Sequence, residues 1–266
     1  MTYLVPVIIL CGCGILAGVL LTIAAKVFHV EVDERIERIG EALPQGNCGA
    51  CGYAGCADYA AAIINNGAAP NLCRPGGAEA AGKIAEILGT SAGEIIPMTA
   101  VVHCNGDCNA TSRAFEFDGL QSCKAAKRFY GGNGLCKYGC IGLGDCVAVC
   151  EYGGIKIENG VAKVDPSLCK ACGQCEAVCP NKLISIKPLA RHTDVLCSSA
   201  DNGKNTKLSC KNGCIGCKIC EKKCPNGAIT VTDFHASIDY DKCTDCGTCV
   251  AACPVKAIHS CDRSAQ

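Results

Sequence analysis

Tryptophan is absent from the 266-residue chain and aromatics make up only 5% of it, so no large aromatic core is on offer. Charge of one sign is also missing as a pattern. Twenty-five Lys and Arg stand against 25 Asp and Glu, formal net charge is zero, and no long like-charged run occurs. That balance argues against nucleic acid as the main partner. The five histidines, His29, His103, His192, His235 and His259, are scattered and suit ordinary surface or half-buried roles. No catalytic side chain is assigned on this chain. What is abundant is cysteine: 28 residues, more than a tenth of the sequence, which leaves a disulfide scaffold, a zinc scaffold or an iron–sulfur protein. Much of the folding energy must then come from what the thiolates bind, in several small modules.

Residues 4 to 25, LVPVIILCGCGILAGVLLTIAA, carry no charge. As a helix they extend roughly 30 Å, the thickness of a bilayer core, and read as one transmembrane segment. A cleaved signal peptide is disfavoured, because no basic region precedes the apolar run and no small-x-small cleavage site follows it. Lys26, Arg35 and Arg38 come after it, which by the positive-inside rule puts the bulk of the protein in the cytoplasm. A dinucleotide fingerprint is a rival reading of Gly12 to Ala17, with Asp33 about twenty residues on, but it would need a polar helix face and further strand–helix units. Gly14 and Gly18 fit small-residue packing between membrane helices, and Cys11 and Cys13 serve there as small apolar residues.

After a charged amphipathic stretch, Cys48, Cys51, Cys56 and Cys73 lie at C-x2-C-x4-C-x16-C, with Gly49, Gly52 and Gly55 between them. A helix over ADYAAAII, ended by Asn66 and Gly67, would carry the chain away and return Cys73 as fourth ligand. Zinc suits four cysteines equally well. The stretch resembles the iron–sulfur domain of the B subunit of the Rnf membrane complex and of related corrinoid-protein subunits. That resemblance implies one 4Fe-4S cluster on these four cysteines.

Three runs keep the bacterial ferredoxin spacing C-x2-C-x2-C-x3-C-P: Cys169, Cys172, Cys175, Cys179; Cys214, Cys217, Cys220, Cys224; and Cys243, Cys246, Cys249, Cys253. Three thiolates on one tight loop cap three corners of a cubane, while the fourth serves the neighbouring cluster. Shifting the chain on itself by 74 residues superposes Cys123, Cys136, Cys140, Cys146 and Cys150 on Cys197, Cys210, Cys214, Cys220 and Cys224, and the run from Cys169 on the run from Cys243. This is a duplicated two-cluster ferredoxin module, each copy expected as two short hairpins and two helical turns. In that register Leu143 falls opposite Cys217, and Glu151 opposite Pro225. Either that site has lost its metal or a thiol comes from elsewhere, and the nearest spare is Cys136, four residues before Cys140. The expected sets are therefore Cys136, Cys140, Cys146, Cys179; Cys150, Cys169, Cys172, Cys175; Cys214, Cys217, Cys220, Cys253; and Cys224, Cys243, Cys246, Cys249. Cys104, Cys108, Cys123, Cys197 and Cys210, besides Cys261, stay over. A sixth cluster on Cys104, Cys108, Cys123 and either Cys197 or Cys210 stands beside the alternative of structural thiols packed between modules.

The expected fold is thus a multi-module α+β chain: a transmembrane anchor at 1–28, a small 4Fe-4S domain at 29–90, a Cys-containing connector at 91–130, and ferredoxin-like modules at 131–190 and 191–266. That order resembles the long, clostridial-type form of the Rnf B subunit. The resemblance implies an iron–sulfur subunit of an ion-translocating ferredoxin:NAD+ oxidoreductase, with at least five 4Fe-4S clusters. It also implies soluble ferredoxin and other Rnf subunits as partners, and a place in the cell membrane. The residues themselves support the electron wire but not the pump, since one helix without a buried charge makes no ion path and no flavin or nucleotide motif is credible. A membrane-tethered zinc scaffold is the rival. Finally, Lys204, Lys207, Lys211, Lys218, Lys222 and Lys223 face the single acid Glu221 in one segment, either offsetting cluster charge or forming a docking face for an acidic ferredoxin.

Overall fold

The computed structural model describes residues 4–27 and 33–260, with side chains placed for 11–24 and 33–260. Cys261, His29 and the ends of the expected anchor, residues 1–3 and 28, lie outside the described residues. Helix α1, Leu4–Val27, runs unbroken for 24 residues. Gly12 and Gly14 sit inside it, and residues 4–11, where that fingerprint needs a strand, are helical too, so the dinucleotide-binding reading is excluded. Ile15, Leu16, Val19, Leu20, Leu21 and Ile23 are all exposed. Among the described side chains, which cover 11–24 of this helix, no stretch is long and apolar enough to cross a membrane.

Three helices form the next unit: α2 (Glu34–Ala42), α3 (Cys56–Asn66) and α4 (Gly77–Leu88). Asp33 caps α2 by accepting from the Arg35 N–H, and Gly67 ends α3 in the left-handed conformation at φ 65°. Ile39, Leu43, Tyr59, Ala60, Ile63 and Ile84 close the small core.

The first ferredoxin unit starts earlier than the spacing of its cysteines indicated. Strand β1, Met98–Val102, falls in the expected connector 91–130. A long loop follows, carrying α5 (Cys123–Tyr130) and leading to α6 (Asp145–Ala148). Then come the hairpin β2 (Ile155–Glu158) and β3 (Val161–Val164), α7 (Gln174–Val178) and β4 (Ile184–Pro188). β4 returns antiparallel to β1, with Met98 opposite Pro188 and Val102 opposite Ile184. Each unit therefore has one hairpin and one pair of closing strands, not two hairpins.

The second unit repeats this order: β5 (Thr193–Val195), α8 (Gly203–Ser209), α9 (Ile219–Lys223), the hairpin β6 (Ile229–Thr232) and β7 (His235–Ile238), α10 (Thr248–Ala252) and β8 (Ile258–Ser260), which pairs with β5. One requirement recurs in both copies. The loop glycines Gly142 (φ 79°) and Gly216 (φ 65°) lie against the hairpin turns, where an added Cβ would stand 2.5 Å from the Gly160 carbonyl oxygen and 2.9 Å from that of Phe234. Only glycine fits there.

The two units are joined by a buried ion pair. Lys187 of β4 and Asp194 of β5 are both fully buried and contact each other. The Lys187 ammonium also donates to the Arg191 carbonyl at 2.8 Å, and the Tyr240 hydroxyl donates to Asp194 at 2.9 Å.

Candidate iron–sulfur sites

The cysteines gather around separate hollows. Cys48, Cys51, Cys56 and Cys73 line the first, enclosed by the loops of the three-helix unit. Asn47 places it by accepting from the Cys56 N–H at 2.8 Å. Tyr59 is nearly fully buried; its hydroxyl donates to the Ala69 carbonyl at 2.6 Å and accepts from the Leu72 N–H at 3.1 Å, which pins the loop that returns Cys73. Burial pushes the Tyr59 hydroxyl up to about 12, so it stays a donor. Tyr59 was not singled out from the sequence; a lone Tyr in an alanine-rich helix was the available sign.

Cys150, Cys169, Cys172 and Cys175 line a second hollow. It lies against the three-helix unit, where the Gln174 amide donates to the Cys48 carbonyl at 3.2 Å. Cys224, Cys243, Cys246 and Cys249 line another in the second ferredoxin unit. In the same unit Cys214, Cys217, Cys220 and Cys253 are electrostatic neighbours, and burial, reinforced by the other three thiols, raises Cys220 to about 11.

The site opened by Leu143 is where structure and spacing part. Cys123, Cys140, Cys146 and Cys179 line one pocket. Cys136, expected there, instead lines a neighbouring pocket with Cys104, Cys197 and Cys210, which Cys140 borders as well. The reason is the long loop after β1. It folds α5 back so that Cys123, its first residue, packs with Ala126 and Ile141 beside Leu143. Asp145 holds the helix start in place: its carboxylate accepts from the Cys123 N–H at 2.9 Å, the Lys124 N–H at 3.0 Å and the Ser122 hydroxyl at 3.0 Å. Asp145 was the missed signal, an acid two residues past Leu143 where the second copy has Ile219. The expected sixth set is corrected too. Cys104 meets Cys197 and Cys210 but not Cys108, which is exposed, nor Cys123. Exposed Cys11 and Cys13 of α1 join no group.

The thiols suit a bulky cofactor better than an ion. They stand around a space, and among the described residues no three Cys, His, Asp or Glu side chains converge to hold a single metal ion. Tetrahedral zinc needs its thiolates on one point at Zn–S of about 2.3 Å. Every described cysteine is free of disulfides. Burial pushes Cys140 and Cys197 up to about 11, and Cys146 and Cys175 up to about 12. Such thiols ionise when cationic iron supplies the compensating charge, so loading releases protons. Backbone N–H groups already point at sulfur: Leu183 to Cys179 at 3.4 Å, Ala228 to Cys224 at 3.3 Å and Ala257 to Cys253 at 3.3 Å. Such bonds stabilise thiolate and tune cluster potential.

These features define a protein with several four-thiol iron–sulfur sites built on a duplicated ferredoxin fold. Family models agree. Residues 43–75 match an Fe-S cluster family, 162–185 a 4Fe-4S binding domain, and 213–258 a 4Fe-4S dicluster domain. The chain is 44% identical to the B subunit of the ion-translocating oxidoreductase complex of Methanosarcina acetivorans, over 94% of this chain and 95% of the relative. It is 44% identical to the B subunit of the Na(+)-translocating ferredoxin:NAD(+) oxidoreductase complex of Acetobacterium woodii, over 96% of this chain and 77% of the relative. With the B subunit of the proton-translocating ferredoxin:NAD(+) oxidoreductase complex of Clostridium ljungdahlii the identity is 38%, over 97% and 92%. The chain belongs to the family of B subunits of the Rnf-type ion-translocating ferredoxin:NAD+ oxidoreductase complexes, as an iron–sulfur electron-transfer subunit carrying 4Fe-4S clusters.

Proposed function

We propose that this protein takes electrons from soluble ferredoxin at its second ferredoxin unit and passes them toward its N-terminal end, to partner subunits at the membrane. One observation carries the direction. Among the assigned thiols, only Cys217 and Cys246, both in the second unit, are exposed, and Lys218, Lys222 and Lys223 are exposed in the same segment as Cys217. A donor with an acidic face is drawn to that surface and finds a cluster edge close to solvent. At the other end, Cys172 has Cys48 as an electrostatic neighbour, so the first unit and the three-helix unit abut through their sites.

At least five 4Fe-4S clusters fit this reading: one each on the sets of Cys48, Cys123, Cys150, Cys214 and Cys224. Cys123 takes the place that the ferredoxin spacing gives to Leu143. The neighbours Cys175 and Cys146 link the two sites of the first unit, and Cys243 and Cys224 knit the last one. Bound iron–sulfur groups supply one-electron chemistry. The chain's own groups hold the thiolates, aim N–H dipoles at them and keep water away.

Membrane attachment by α1, with residues 29–266 in the cytoplasm, belongs to the same proposal. Its support is the uncharged run 4–25 within a 24-residue helix whose described apolar side chains touch no other part of the protein closely enough to be buried. The test is rapid mixing of the anaerobically purified, brown protein with a trace of ferredoxin kept reduced by an excess electron source, so that the donor's own colour stays constant. Bleaching of absorbance near ~400 nm is expected, slowing as ionic strength rises. A colourless, zinc-containing protein would refute the wire. A ferredoxin rate indifferent to salt would move the entry point elsewhere, the Cys48 module being the next candidate.

A further inference from the structure

The five sites above form two groups: three toward the N-terminus and two in the second ferredoxin unit. Between the groups lies the cavity lined by Cys104, Cys136, Cys197 and Cys210, none of which falls in a segment matched by the family models. We propose that these four cysteines hold a further 4Fe-4S cluster on the seam between the two ferredoxin units, and that it carries electrons from one unit to the other. The inference rests on the iron–sulfur reading above.

The seam is built alike from both sides. Cys104 comes two residues after the end of β1, and Cys197 two residues after the end of β5. Cys136 precedes Cys140 by four residues, and Cys210 precedes Cys214 by four. Each unit thus contributes one equivalent pair. The hydrogen bonds repeat as well: Cys140 N–H donates to Cys104 Sγ at 3.3 Å, and Cys214 N–H donates to Cys197 Sγ at 3.2 Å. Both donors belong to residues assigned to the neighbouring clusters, so the seam thiols are joined through one peptide group to a site in each unit.

Backbone contacts fix the two halves. Asn105 N–H donates to the Leu196 carbonyl at 3.0 Å, Lys211 N–H to the Ala110 carbonyl at 2.8 Å, and the Asn212 side chain to the Asn105 carbonyl at 2.8 Å. The His103 ring bridges the Val195 carbonyl at 2.8 Å and the Ser185 hydroxyl at 2.7 Å. Thiols that served only as filler would close the space they share, because interiors are packed to crystal density. These four instead line one pocket together, as four thiols do at the Cys123 site.

Chemically the step is one electron in and one electron out. A cluster held by Cys104, Cys136, Cys197 and Cys210 would supply a one-electron relay, gaining the electron that the second unit's nearest site gives up and losing it to the Cys123 site. No bond or proton is exchanged in transit; thiol protons leave once, on assembly.

Native mass spectrometry of the full-length wild-type holoprotein under anaerobic conditions is the first test. A top species with six cubanes is expected. Five would overturn the proposal while leaving the wire reading intact, whereas none would sink that reading itself. Cys136→Ser and Cys210→Ser should each remove one cubane, about a sixth of the iron, and Cys108→Ser none. Those two seam variants should also cut the fast phase of bleaching by reduced ferredoxin to about a third, the share of the two clusters in the second unit. Six cubanes retained in both seam variants, or full fast-phase amplitude after the loss of one, would contradict the proposal.

Discussion

In the second ferredoxin unit the thiols of the leading site come from one run and its return cysteine: Cys214, Cys217, Cys220 and Cys253. The first unit has Leu143 where Cys217 would stand, and the fourth thiol lining its pocket is Cys123, brought on α5 by a loop between β1 and α6 that is longer than the α8-bearing loop between β5 and α9 in the second unit. The two copies share strands, turns and the glycine against the hairpin, so the difference is confined to one ligand and the loop that delivers it. A tight loop orders three thiols at small entropic cost. A ligand from a long loop must be held by something else, and here Asp145 does so by satisfying the first N–H groups of α5.

Removing iron should erase the comparison altogether. Cys104 and Cys146 belong to the buried core of the first unit, and Cys214, Cys220 and Cys249 to that of the second. Anaerobic chelation is expected to abolish the far-ultraviolet circular dichroism signal of both units together. A surviving native signal from either would show a core that stands without its clusters.

Next in size is the joint between the copies. Lys187→Ala would leave Asp194 buried without its cation, which typically costs about 3–5 kcal/mol. The urea midpoint of the holoprotein should fall accordingly, and a shift below about 1 kcal/mol would mean that the seam tolerates the loss.

Asp145→Ala should cost about 1 kcal/mol through the lost cap and lower iron occupancy in the first unit only. Asp145→Asn, which keeps an acceptor oxygen, should recover part of the iron. Equal occupancy in wild type and Asp145→Ala would deny Asp145 its positioning role.

The smallest effect on the fold should come from the surface. Lys222→Glu with Lys223→Glu is expected to leave iron content unchanged and slow reduction by ferredoxin at low salt. A parent-like rate in that double variant would take the docking face off the second unit.

Much of this was readable in advance, for physical reasons. Iron–sulfur ligands on tight loops obey fixed spacing, and the runs from Cys169, Cys214 and Cys243 fall within the segments that 4Fe-4S family models match. A helix ended by Asn66 and Gly67 carries its own stop signal, and the structure has the left-handed Gly67 there. The choice between Cys136 and Cys123 was not readable. Spacing says nothing about which part of a long loop returns, and Cys136 was merely nearer along the chain. The 74-residue register also aligned Cys123 with Cys197, although by position after its strand Cys197 corresponds to Cys104. Strand β1 escaped for a similar reason: its partner β4 is far along the chain, and short strands carry little pattern of their own.

The account turns on which thiol completes the site beside Leu143, and iron per chain measured anaerobically in crossed variants decides it. Cys123→Ala should lose about one cluster's iron, or leave a three-iron centre, and Leu143→Cys should restore it. Cys136→Ala should lose a cluster that Leu143→Cys does not restore. Full iron in Cys123→Ala, with rescue of Cys136→Ala by Leu143→Cys, would contradict the account and return the ligand to Cys136.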